Sequence, residues 1–360
     1  MKKVLSVLLA GGMALSLTAC GSNGEKTTIN ETSSSASADS QVEKIDKSQE
    51  LVIYTNSGSD GRDEWLVDKA AEAGYKVQVM PLPASDLTNR LIAEKNNAVA
   101  DVIIGLNNIE YEKLKAEDIL MSWEPDWVDG VDDSLIDKDG YYYPISTTPL
   151  LLIYNNEMDN PPKDWTDLVK PEYKGLYQLR KLGGGTPNTI FASIISRYQD
   201  PDGDLGISDE GWKFAKKYFG NSHLIADGED AIGSVIDGSL PMSMHWASGV
   251  IAEQRERDYE FGIMTPDVGE PFVVESTAIV KTTKHPELAV DFLNWFGSSE
   301  IQLAWSDAWG TIPAQEDAIE KVDDDIQEMV KKLEPQKLDW EFIAENIDDW
   351  VEKAELEYVQ

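Results

Sequence analysis

Cysteine is almost missing: the 360 residues hold one, Cys20. Internal disulfides and thiol catalysis in the body of the chain are therefore excluded. Histidine is nearly as scarce, with only His223, His245 and His285. No two stand at metal-ligand spacing, so no metal centre is expected. Basic residues are few, 31 Lys and Arg against 66 Asp and Glu, for a formal net charge of -35. Such a chain lacks the clustered cations that nucleic acid or an anionic lipid surface requires. No Gly-x-Ser-x-Gly elbow and no Gly-Lys-Ser/Thr phosphate loop occurs. Carboxylates are so abundant that no single acid pair points to acid/base chemistry. With no catalytic constellation and no cofactor motif, the chain is not expected to be an enzyme. No repeat of fixed period appears.

Long apolar runs are also short of what a membrane span needs. Val4 to Leu17 is apolar or small and follows Lys2 and Lys3. About fourteen residues fall below the roughly 20 of a spanning helix, but they fit a secretory leader over residues 1–19. The leader ends Leu17-Thr18-Ala19-Cys20-Gly21, which resembles the bacterial lipobox. That resemblance implies a diacylglycerol on Cys20 and a chain held on the outer face of a bacterial cell membrane. Residues 20–46 are polar and of low complexity, as in Thr32-Ser33-Ser34-Ser35-Ala36-Ser37. They cannot bury enough apolar surface to order themselves and read as a tether.

The body alternates strand and helix. Leu51-Val52-Ile53-Tyr54 reads as a buried strand, Arg62–Ala73 as a helix, Lys76–Met80 as a strand, and Ala84–Asn96 as a helix capped by Ser85 or Asp86. Ala100–Gly105 reads as a third, fully buried strand. Further on, Leu150–Tyr154, Leu176–Leu179, Pro241–Trp246 and Phe272–Val280 are extended. Helices are expected over Asn188–Arg197, Glu210–Phe219, Ser248–Arg257 and Pro286–Phe296. This order implies an α/β fold with a mostly parallel sheet. From Glu316 the chain is helical and acidic, with Trp340, Phe342, Ile343, Ile347 and Trp350 turned inward.

Several of these pieces together resemble the family-1 extracellular solute-binding proteins of ABC importers, the branch with ferric-ion, thiamine, polyamine and phosphonate binders. They are Ala100–Asn108, Leu152-Ile153-Tyr154-Asn155-Asn156, Pro161–Leu168, Pro171-Glu172-Tyr173-Lys174-Gly175, Ala278–Lys281, and His285–Ala289 with Phe292-Leu293. The resemblance implies a periplasmic-binding-protein-like fold, two α/β lobes with a hinge and an interlobe ligand cleft. Lobe 1 would hold residues 47–145 and 276–312, and lobe 2 residues 146–275. Residues 313–360 would form C-terminal helices packed on the lobes. The crossovers would lie near Ile145–Pro149, with Thr147, and near Glu275-Ser276-Thr277.

Ligands in open α/β sheets sit beyond the carboxyl ends of strands, so the polar loops there are the candidate pocket. The first is Asn56-Ser57-Gly58, rich in hydroxyls and backbone N–H groups. The second is Asn107-Asn108, with helix capping as the alternative. The third is Gly184-Gly185-Thr186, where glycines permit close backbone approach and a helix N-terminus favours negative charge. The fourth is Trp246 with Ser248; ferric-ion members place adjacent tyrosines here, whereas this chain has His245-Trp246. The fifth contains Trp309, at a position where thiamine-binding members carry an aromatic. Glu275 matches an acidic position of that subgroup. Trp246, Trp309 and Glu275 could frame an organic cation or zwitterion, thiamine-like or polyamine-like. Ferric iron and phosphorylated compounds stay open as alternatives. The expected partners are the small-molecule ligand, ABC permease subunits and, through the anchor, the membrane. A membrane sensor is the alternative partner, and the chain is expected to be a monomer. Asp200-Pro201-Asp202-Gly203-Asp204 has the look of a calcium loop with displaced ligands, and a solvated inter-helix turn is the simpler reading.

Overall fold

A computed structural model describes residues 45–59, 61–226 and 228–359. The leader, Cys20 and most of the tether lie outside the described residues. Twelve strands follow the chain: β1 (Glu50–Thr55), β2 (Lys76–Pro81), β3 (Val102–Ile104), β4 (Leu120–Met121), β5 (Tyr142–Tyr154) and β6 (Tyr177–Leu179), then β7 (Gln199–Asp204), β8 (His223–Leu224), β9 (Met242–Trp246), β10 (Gly262–Ile263), β11 (Phe272–Val280) and β12 (Ile312–Pro313). The main sheet runs β2-β1-β3-β11-β5-β9-β6-β8.

The pairing explains how one sheet serves two lobes. On one side β1 pairs in parallel with β2 and β3. On the other, β6 pairs in parallel with β8 and β9. Between them, β11 and β5 run antiparallel to each other, with a register break between Glu275 and Ser276. β11 continues onto β3 in lobe 1, and β5 continues onto β9 in lobe 2. Each long strand therefore belongs to both halves. The sheet is mixed, not mostly parallel as the strand–helix alternation suggested, because two crossover strands must run against each other.

β3 is buried on both faces, as a Val-Ile-Ile strand in a covered sheet should be. Lobe 1 packs Leu51, Ile53, Phe292 and Trp305 on one face and Tyr54, Leu91 and Tyr111 on the other. Lobe 2 gathers Trp165, Tyr177, Phe191 and Met244. The C-terminal helix Trp340–Glu357 sends Ile343, Ile347 and Trp350 into that lobe-2 core, together with Ile109 from the lobe-1 helix Asn108–Ala116. Trp340 and Phe342 of the expected inward set are only partly buried.

Three local readings change. The helix Ala84–Ala93 starts behind Pro83 with no side-chain cap, so neither Ser85 nor Asp86 has that role. The helix expected from Asn188 begins at Gly185, because Pro187 in the first turn needs no hydrogen-bond acceptor for its nitrogen. Residues 199–207 do connect two helices, but as a tight hairpin with Asp204 paired to Ile207 and not as a simple turn. Among the described residues no group of three or more His, Cys, Asp and Glu could hold a metal ion.

Candidate functional site

The principal cavity, about 810 Å³, opens at the carboxyl ends of β6 and β9. Arg180 and Lys181 leave β6 into it, and His245, Trp246, Ser248 and Gly249 come from the end of β9 and the helix that follows. Glu229, Asp230 and Glu253 add carboxylates, Arg255 a further cation, and Trp309 and Gly310 form part of the wall contributed from beyond lobe 2.

Local chemistry fixes these groups. His245 is 4% exposed, and its Nδ1 accepts the Trp246 N–H at 2.9 Å. Burial holds its imidazole well below the ordinary range, at about 4, so it is neutral at physiological pH. Gly249 allows the two rings to pack tightly, because a Cβ there would lie 2.6 Å from the Trp246 indole nitrogen. The Arg180 guanidinium stacks 5.4 Å from the Trp246 ring. The Arg62 guanidinium stands at the same distance from Trp309.

The carboxylates of the cavity already have hydrogen-bonding partners outside it. Arg257 donates to both oxygens of Asp230 at 3.0 Å and from Nε to Glu253 at 2.6 Å. The Arg257 contact, helped by the Gly233 N–H, holds Asp230 below the usual carboxylate range. Glu229 accepts the Ala226 N–H at 2.8 Å and pairs with His223 at 2.7 Å, which lowers it too. Arg255 is tied to Asp323 and Asp325. Among the described residues, no carboxylate forms an ion pair with Arg180 or Lys181, and Nε of Arg180 is buried without a hydrogen-bond partner.

Of the residues singled out from sequence, Trp246, Ser248 and Trp309 line this cavity. Asn56, Ser57 and Glu275 form a second group, near the hinge. Ser146 donates to Glu275 at 3.2 Å, Ser57 also bonds it, and Arg62 is close enough to act on its charge. Burial nevertheless raises the Glu275 carboxyl above its ordinary range. The remaining candidates are placed by structural needs. Asn107 caps the helix Asn108–Ala116 by accepting the Glu110 N–H at 3.2 Å. Asn108 and Thr147 are buried, the latter between β11 and β12. Gly58 faces Pro81, which a Cβ would approach to 2.7 Å. Gly184, Gly185 and Thr186 open the helix Gly185–Ile195 and do not line the cavity, although they follow directly from Arg180-Lys181-Leu182-Gly183. Arg180 and Lys181 were not foreseen. The signal available was an adjacent cation pair, rare in this acidic chain, at a strand end before a glycine run.

A family model described as "bacterial extracellular solute-binding protein" matches residues 97–346. The chain belongs to that family. A probable ABC transporter periplasmic-binding protein of Sinorhizobium fredii, y4fP, is 29% identical over 313 residues, 86% of this chain and 87% of its own. Among solved structures, a ferric binding protein from Campylobacter jejuni superposes with a TM-score of 0.69 at 22% identity, covering 85% of this chain and 98% of that one. The Trichodesmium IdiA (FutA) protein in complex with iron and citrate gives 0.71 at 16% identity, covering 86% and 100%. These likenesses establish the two-lobed fold of this solute-binding protein. Its family description sets its work outside the cytoplasm. Among the described residues no helix is long and apolar enough to cross a membrane.

Proposed function

We propose that the protein is the substrate-binding component of an ABC-type importer and that its solute carries an anionic group of the phosphate or phosphonate kind. The observation that carries this reading is the charge balance of the cavity. The carboxylates on its wall are engaged outside it, Asp230 and Glu253 with Arg257 and Glu229 with His223, whereas Arg180 and Lys181 pair with no carboxylate among the described residues. In a chain of net charge -35, a wall with uncommitted cations is placed against the overall field and suits an anion.

The same geometry weighs against an organic cation. The two tryptophans expected to stack on one already have the chain's own arginines beside them. Ferric iron gains support from the fold likeness to ferric binding proteins. Against it, among the described residues no tyrosine lines the cavity, and His245 is the one histidine on its wall. The solute enters between the lobes, the hinge at β5 and β11 closes, and the loaded protein docks on its permease as a monomer. A lipid on Cys20 holds it at the outer membrane face.

Thermal shift with small probes tests this reading. Inorganic phosphate or a phosphate monoester should raise the melting temperature, as any ligand of the native state does. Thiamine and spermidine should not. Stabilisation by the cations alone would overturn the anion reading and leave solute capture standing.

A further inference from the structure

Away from the cleft, Glu270 lies two residues before β11 and is 1% exposed. Both of its carboxyl oxygens are buried without a hydrogen-bond partner, as are Nε1 of the neighbouring Trp165 and Nε of Arg197. Its backbone is clasped by the C-terminal segment. The Glu270 N–H donates to the Glu334 carbonyl at 2.7 Å, and its carbonyl accepts the Gln336 N–H at 2.8 Å. The chain then enters the helix Trp340–Glu357, which packs into lobe 2 and also pairs Asp348 with Lys113 of lobe 1 at 2.8 Å. One segment thus ties the root of a crossover strand to both lobes. A cavity of about 550 Å³, lined by Arg197, Gly269, Glu334 and Lys337, opens beside it.

We propose that Glu270 is a proton-controlled clasp: in its neutral form it closes the C-terminal segment onto the start of β11, and its ionisation loosens that segment and frees the hinge. The charged groups that act on its carboxyl are Asp164 and Arg197 of lobe 2; Asp267 on its own loop and Glu334 and Lys337 on the segment line the adjacent cavity. Arg197 favours the charged form only in part, because its Nη1 already donates to both oxygens of Asp164 at 2.8 Å. Burial raises the Glu270 carboxyl to about 8; Trp165 and Arg197 oppose the rise and Asp164 adds to it. The native chain therefore holds a proton that the unfolded chain loses near 4.5. This contribution to stability is complete below 4.5, falls as pH rises, and is gone above about 8.

Two measurements on the full chain test the clasp. In hydrogen exchange corrected for intrinsic rates, peptides covering residues 268–274 and 330–345 should lose protection between pH 6 and pH 9. In Glu270→Gln they should keep it. Between pH 5.5 and 8.5 the melting temperature of the wild type should fall by roughly 5 °C more than that of Glu270→Gln. Equal slopes in the two proteins, or unchanged wild-type protection in those peptides, would overturn the proposal. The wild-type exchange decides the matter even if the variant does not fold.

Discussion

The guanidinium carbon of Arg180 lies 5.4 Å from the ring centre of Trp246. This stack orients a cation whose Nε has no partner at the mouth of β6. A charge-assisted hydrogen bond of this kind contributes about 1.5–3 kcal/mol. Arg180→Ala should therefore weaken binding of a phosphate-bearing solute by roughly 10- to 100-fold by calorimetry. Arg180→Lys should recover only part of the loss, since an ammonium lacks the planar fork and stacks less well. Unchanged affinity in Arg180→Ala would remove Arg180 from the site.

His245 sets the acid limb of stability. Its folded value near 4 lies below the ordinary 6.5, so the unfolded state binds more protons between those values. Stability present above 6.5 is lost as pH falls toward 4, by about 3 kcal/mol in all. In His245→Asn, whose amide oxygen can still accept the Trp246 N–H, that limb should flatten. Melting curves between pH 4 and 7 read it directly, and an equally steep limb in the variant would refute the assignment.

Gly105 shapes the first loop. Its φ is +94°, and a Cβ there would strike Ser57 Oγ and come within 2.8 Å of Asn56 Oδ1. Gly105→Ala should cost about 1–3 kcal/mol from backbone strain alone. It should also push Asn56 and Ser57 away from the hinge, lowering solute affinity. Urea unfolding at wild-type stability would show that the loop accommodates the methyl.

Cys20 carries the anchoring expectation. Cys20→Ser, expressed in a lipoprotein-processing bacterium, should move from the detergent phase to the aqueous phase on partitioning, because the acyl chains supply the membrane affinity. A variant that partitions like the wild type would sink that expectation.

Much of the fold was readable where pattern and chemistry agreed. Phe272–Val280 and Pro286–Phe296 stand within the bounds their sequences suggested, one a strand with apolar ends, the other a helix opened by Pro286. What failed depended on distant partners. β5 begins at Tyr142, eight residues before Leu150, because β11 pairs with that stretch. The cleft was harder to read. Trp246 and Ser248 were found because strand ends are where ligands sit, and Trp309, which ends a helix, through the family resemblance. The part of Arg180 rests on where Arg257 points, since Arg257 engages Asp230 and Glu253 and leaves Arg180 without a carboxylate partner. No local pattern encodes that pairing. Asn107 was a pocket candidate with the right chemistry for either role, and its Oδ1 went to the nearest backbone donor.

Native mass spectrometry of the full-length protein, purified without refolding, tests the central claim most directly. The account predicts a retained small molecule whose fragments include a phosphate or phosphonate ion, and its loss from Arg180→Ala. A retained iron removed by chelator, or an organic cation still bound in Arg180→Ala, would contradict it.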